Sequence, residues 1–183
     1  FTGHKTLYGP FGIGGFINVS SIKLEPFITG GTGSDSLNLE MPSGMESRYE
    51  SASTNIIAVA GLNAALNDLN QKKHYSHEKK LTDYLVEKLK IVNGVSIYLY
   101  RNTEKQVGII SITIESMNSD DVGMILDEDF DIAVRTGYHC APFIHKYLKD
   151  AAYLGTIRVG ISRFTTKEDI DQFATAIEEI IYE

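Results

Sequence analysis

Apolar residues follow two rhythms along this chain. From Ser53 to Asn70 they recur at Ile56, Ile57, Ala60, Ala64, Leu66 and Leu69, close to the period of a helix with one buried stripe. Thr54 and Asn55 stand where N-terminal caps are found. A second helical stretch runs from about His77 to Ile91 on Leu81, Tyr84, Leu85, Val86 and Leu89, and Asn93-Gly94 stops it. The rhythm then shortens to two. Val95, Ile97 and Leu99 alternate, as do Ile110, Ile112 and Ile114, which predicts two strands joined through 102–105. Ser119 is expected to cap a short helix through Leu126, with Asp120 and Asp121 in its first turn. The Asp127-Glu128-Asp129 run reads as a solvated helix end. Ile132 to Arg135 reads as a short strand, Pro142 opens a helix through Lys149, and Thr156 to Ile161 alternates again. Thr165 and Glu168 form a capping-box pattern ahead of a final helix carrying Ile170, Phe173, Ala174, Ile177 and Ile180.

The first stretch is different. Phe1 to Gly15 holds five glycines and a proline, which precludes a regular helix. Phe16–Val19 and Ser21–Leu24 are expected as short strands, and 28–44 as an ordered glycine-rich loop. The pattern divides the chain into residues 1–70, which resemble the tail of a larger sheet domain, and 71–183. The second part predicts a small α+β domain with a mostly antiparallel sheet covered by helices.

Composition narrows the function. With 183 residues, 43% hydrophobic and 22% charged, the chain can bury a core without staples. A net charge of -7 without a long basic run argues against nucleic acid as a partner. No apolar run approaches membrane-spanning length, and Phe1–Val19 lacks the layout of a signal peptide. A single cysteine forms no intrachain disulfide, which points to a reducing, cytoplasmic setting.

Four segments carry candidate chemistry. Lys5, set among glycines, reads either as a surface lysine before a turn or as an amine open to a carbonyl cofactor. Cys140 lies in Arg135-Thr-Gly-Tyr-His-Cys140. It reads either as a small buried hydrophobe or as a thiolate assisted by Arg135 and His139. Arg158, on the Thr156–Ile161 strand, is either an exposed strand arginine or a fork for a carboxylate. Thr2, His4, Gly30 to Ser34 and Ser51 to Ser53 offer hydroxyls and backbone amides to an anion, though turns and caps use the same residues. His74, His77 and His145 lack metal-ligand spacing and are expected at the surface.

In this order the segments resemble the class V aminotransferase-fold enzymes that use pyridoxal 5'-phosphate (PLP), and within them the cysteine desulfurases. Gly3-His4-Lys5 with Leu7-Tyr8-Gly9-Pro10 and Gly12-Ile13-Gly14 is similar to the cofactor-lysine motif. Gly30-Gly31-Thr32-Gly33-Ser34 resembles the glycine loop of a desulfurase-like subgroup. Glu50-Ser51-Ala52-Ser53-Thr54-Asn55 resembles Glu-Ser/Ala-Gly-Thr-x-Asn, and Arg135 to Cys140 resembles the nucleophile motif. Arg158 falls in the carboxylate-binding strand, and Phe164 to Asp171 matches the start of the family's last helix.

The resemblance implies a remnant of the large fold-type I PLP domain followed by a complete small α+β domain. Lys5 would hold PLP and shuttle protons. Thr2, His4 and Gly30 would contact the cofactor, and Ser53 its phosphate on the other subunit of a homodimer. Arg158, with Arg135 and His139, would bind L-cysteine. Cys140 would take the sulfur as a persulfide, release alanine and pass the sulfur to an acceptor protein, as in iron–sulfur cluster assembly. Ala52-Ser53 departs from the family's Gly-Thr. The aspartate and aromatic group that hold the cofactor ring in the family lie upstream of the lysine and are absent here. The 183 residues alone are therefore expected to bind PLP poorly and to be inactive. The same motifs leave open a selenocysteine lyase, another class V lyase or epimerase-like relative, or a non-catalytic dimerisation module.

Overall fold

A computed structural model describes residues 1–182, apart from the side chains of Met45 and Glu46. The chain forms two units, Phe1–Leu69 and the residues from Asn70 onward.

In the first unit, Phe1–Gly15 folds back on itself through an antiparallel bridge between Thr2 and Gly14. Gly3 N donates to Ile13 O at 3.0 Å and Gly15 N to Phe1 O at 3.0 Å. The strands expected at Phe16–Val19 and Ser21–Leu24 do not form. The Asn18 side chain bends the segment instead: its Nδ2 donates to Ile22 O at 2.9 Å and its Oδ1 accepts from Ser20 N at 2.9 Å. Such a local side-chain turn competes directly with a ladder. Residues 28–44 contain bends and turns only. Helix α1 spans Met45–Arg48 and α2 spans Ile56–Asp68. Asn55 is the α2 cap, its side chain accepting from Ala58 N at 3.1 Å. Ala58 and Leu62 are the buried residues of α2, whereas Ile56 and Ile57 are exposed.

In the second unit, α3 spans Gln71–Lys90 and begins well before the expected His77. Asn70 caps it through Lys73 N at 3.1 Å. Its first turn is wholly polar, so no apolar period marked it. Strands β1 (Val95–Tyr98), β2 (Ile109–Ile114) and β3 (Ile157–Gly160) form an antiparallel sheet in that spatial order. Tyr98 pairs with Ser111, and Ser111 with Arg158. The period-2 rule sends Ile110, Ile112 and Ile114 to one face, with Ile157 and Val159 beside them. There they meet Leu85 and Leu89 of α3, Val122 and Leu126 of α4 (Ser119–Phe130), and Phe173 and Ile177 of α6 (Lys167–Tyr182). Helix α5 spans Pro142–Leu148 and opens on its proline as expected. The strand expected at Ile132–Arg135 is reduced to one bridge, Arg135 to Arg158.

Two caps fall one residue away from their expected positions. Asn118, not Ser119, caps α4 by accepting from Asp121 N at 2.8 Å. Thr166, not Thr165, caps α6: its Oγ1 accepts from Asp169 N at 3.1 Å, and Asp169 Oδ2 accepts from Thr166 N at 2.8 Å. The reciprocal pair is therefore Thr166-x-x-Asp169, while Thr165 Oγ1 accepts from Ser162 N at 3.0 Å. Thr166→Ala is expected to lower the unfolding free energy by about 1 kcal/mol, read from urea titration of the folded chain.

Candidate active site

The residues singled out in the sequence fall into two groups, one in each unit. In the first, the Lys5 turn is fixed by backbone. Tyr8 N donates to Lys5 O at 2.8 Å and Gly9 N to Gly3 O at 2.8 Å. The turn lies on α2, so closely that a Cβ on Gly9 would sit 2.8 Å from the Leu62 side chain, and one on Gly61 2.8 Å from Pro10. The Lys5 side chain is exposed. The His4 ring stacks on Phe11 with centroids 4.5 Å apart, and its Nδ1 is buried without a hydrogen-bond partner among the described residues. Gly30 and Gly31 lie against 51–52: Ala52 N donates to Gly31 O at 2.8 Å, and a Cβ on Gly30 would lie 3.5 Å from the Ser51 side chain. Ser53 and Thr2 are exposed. Ala52 has φ 64°, in the left-handed region that glycine enters without strain.

In the second group, Arg135 pairs with Arg158 in both directions, N to O, at 3.2 and 2.7 Å. Arg135 Nη2 donates to Cys140 Sγ at 3.0 Å. Cys140 is exposed, so it is not the buried hydrophobe that a lone cysteine often is. His139 and Cys140 are consecutive left-handed residues, at φ 52° and 61°. The His139 ring shares a hydrogen bond with Thr156 Oγ1 at 2.8 Å through Nε2, and its Nδ1 is buried without a partner among the described residues.

Four buried polar residues support this loop, and sequence reasoning assigned none of them to the site. Ser119 Oγ accepts from Gly137 N at 3.3 Å and donates to Leu154 O at 3.1 Å. Thr156 N donates to Gly137 O at 3.1 Å. His145, expected at the surface, is 6% exposed and meets the fully buried Asp150 at 2.5 Å through Nδ1. His74 and His77 are half-buried rather than exposed, with His77 Nε2 2.8 Å from Thr165 O. Among the described residues no group of three or more His, Cys, Asp or Glu is placed to hold a metal ion. No helix among them is long and apolar enough to cross a membrane.

Burial, and then the neighbouring Arg158, His145 and Arg135, hold His139 below its ordinary protonation range. The unfolded chain therefore takes up a proton that the folded chain resists. This contribution to stability is complete above the unfolded histidine value of about 6.5 and is lost as pH falls through it toward the lower folded value. The urea midpoint is expected to fall between about pH 7.5 and about pH 5.5, and His139→Gln to flatten that part of the fall.

The aminotransferase class-V family profile matches residues 1–173. A probable cysteine desulfurase of Halalkalibacterium halodurans is 33% identical over 98% of this chain and 44% of its own length. One from Methanothermobacter thermautotrophicus is 31% identical over 98% of this chain and 46% of its own. The chain thus spans somewhat less than half the length of these relatives. The apo structure of a cysteine desulfurase from Thermococcus onnurineus NA1 superposes with a TM-score of 0.73 at 26% identity, covering 86% of this chain and 39% of that one. The chain belongs to the aminotransferase class-V family, and homologues of it are named as cysteine desulfurases.

Proposed function

We propose that these residues carry the cofactor lysine and the sulfur nucleophile of a PLP-dependent cysteine desulfurase. The observation that carries the reading is the exposed Cys140 sulfur accepting from Arg135 Nη2 on a loop paired with the Arg158 strand. A guanidinium donor stabilises negative charge on sulfur, and a second guanidinium one strand away suits a carboxylate.

The residues of the first unit fit the phosphate and aldehyde ends of PLP. Lys5 is exposed, and the buried His4 Nδ1 lacks a partner among the described residues. Thr2, Gly30 and Ser53 would add hydroxyl and backbone contacts, Ser53 toward the second subunit of a homodimer. Bound there, the cofactor would act as an electron sink for the substrate's carbon. Lys5 would remove and return the proton there. Arg158 would orient the carboxylate of L-cysteine, with Arg135 and His139 beside it. Cys140 as thiolate would attack the substrate sulfur: an S–S bond forms, the C–S bond breaks with its electron pair going to carbon, and a proton on that carbon completes alanine. The sulfur would remain on Cys140 as a persulfide for an acceptor protein, in a reducing cytoplasmic setting and in the service of iron–sulfur cluster assembly.

The 183 residues alone, spanning less than half of their relatives, are proposed to release no sulfide from L-cysteine. A second reading, a non-catalytic dimerisation module, draws support from Ala52 at φ 64° where the resemblance calls for glycine. Borohydride reduction of full-length protein saturated with PLP, followed by peptide mapping, separates the two. Label on Lys5 is expected. Folded protein without label on Lys5 would overturn the enzymatic reading.

A further inference from the structure

We infer that His145, gripped by Asp150, is a positioning residue for Cys140, acting through the carbonyl of Tyr138. The inference rests on the reading of Cys140 as the nucleophile, and it begins with a strained loop. Two successive non-glycine residues, His139 and Cys140, hold positive φ. Such a conformation persists only where the surroundings over-determine it. The loop also sets the distance on which the chemistry depends, Arg135 Nη2 to Cys140 Sγ at 3.0 Å.

The over-determination comes from beneath. Tyr138 O accepts from Ala141 N at 2.8 Å, which closes the turn around His139 and Cys140. It also faces His145 Nε2 at 3.2 Å. One carbonyl thereby meets both the N–H that closes the turn and the edge of the imidazole. On its other side His145 Nδ1 meets Asp150 Oδ2 at 2.5 Å. Asp150 is fully buried, and its Oδ1 has no hydrogen-bond partner among the described residues, so the imidazole is the side-chain contact that holds this carboxylate. The Tyr138 ring stands edge-on to His145 at 5.0 Å, and the His139 ring lies 5.9 Å away, so the imidazole is wedged under the turn. Asp150 is anchored in turn, its backbone oxygen accepting from Tyr153 N at 3.0 Å and Gly155 N at 3.3 Å. A line of contacts thus runs from the turn ahead of β3 through Asp150 and His145 to the turn that carries the sulfur. Removing the middle of it frees the turn to relax out of the left-handed region, and Arg135 loses its hold on Sγ.

The test is the rate at which iodoacetamide modifies Cys140 in the full-length protein, read by mapping its peptide, together with amide exchange. His145→Asn keeps a polar side chain that can meet Asp150 and loses the ring contact with Tyr138 O. It is expected to slow alkylation about five-fold, as is Arg135→Gln, the cost of one charge-assisted contact. The double variant is expected to match either single one, because His145 acts through the Arg135–Cys140 contact. A purely structural role predicts two independent losses that multiply. Amides of β2 should keep their protection in His145→Asn while that of Ala141 loses it. A folded His145→Asn alkylated at the wild-type rate, or multiplying losses, would overturn the inference. If His145→Asn does not fold, Asp150→Asn takes its place with the same expectations. In the wild-type chain, an Ala141 amide that exchanges as fast as in the unfolded chain would also overturn it. None of these readings requires turnover or PLP, so a failure of the desulfurase proposal at Lys5 leaves them interpretable.

Discussion

Replacing Cys140 with alanine is expected to abolish sulfide release from L-cysteine in the full-length protein, by a factor above about 10³, while borohydride still labels Lys5. The side chain is exposed at the tip of a loop, so its removal opens no cavity and should leave the urea midpoint unchanged. Alanine offers no atom to attack sulfur and none to carry it. The labelled lysine and the lost sulfide together assign the two halves of the chemistry to Lys5 and Cys140 separately. Sulfide release above about a tenth of the wild-type rate would show that another group accepts the sulfur or that none is needed. A lyase acting through Lys5 alone would then be the better description.

Gly155→Ala is expected to cost roughly 3 kcal/mol in unfolding free energy, combining backbone strain with overpacking. Gly155 has φ 101°, a conformation that a Cβ disfavours, and the added Cβ would lie 2.4 Å from Gly137 O and 2.5 Å from Gly137 C. Both neighbours are backbone and have no flexible end to yield. Gly160→Ala is the matched control. Its Cβ would meet nothing within 4 Å and its φ is not in the positive range, so the change should stay within about 0.5 kcal/mol. Equal urea midpoints for the two variants would mean that the 137–155 approach is not tight in solution.

Where one apolar rhythm persisted over several residues, the sequence was readable. The alternation of Ile110, Ile112 and Ile114 became the centre of the sheet, and Leu81, Leu85 and Leu89 became the buried side of α3. Asn55 and Pro142 announced helix starts because each has a local mechanism, a side-chain acceptor and a preset φ. Ser119 and Thr165 were misassigned because several residues in a row could cap, and only the folded backbone chooses among Asn118, Ser119, Thr165 and Thr166. Phe16 to Leu24 looked like strand by composition, but a strand needs a partner and Asn18 supplied a turn instead.

The candidate site was legible where a motif is continuous, as in Arg135 to Cys140. His145, Asp150, Thr156 and Ser119 were not, because their relation to Cys140 is made by the fold. The local trace of the dyad is a histidine five residues before an aspartate across a helix end. The left-handed Lys149 after α5 makes that spacing work, and nothing in the residue type of lysine foretells it.

The left-handed pair His139 and Cys140 bears on how such a protein evolves. The loop is held by residues beneath it, Asp150, Gly155 and Thr156 among them, while the candidate nucleophile at its tip is Cys140 alone. If Cys140 takes the sulfur as proposed, a single codon change at position 140 would retire that chemistry without disturbing the scaffold. Descendants of this loop could keep its outline long after losing the reaction, and the outline by itself would be a poor guide to which lineages still perform it.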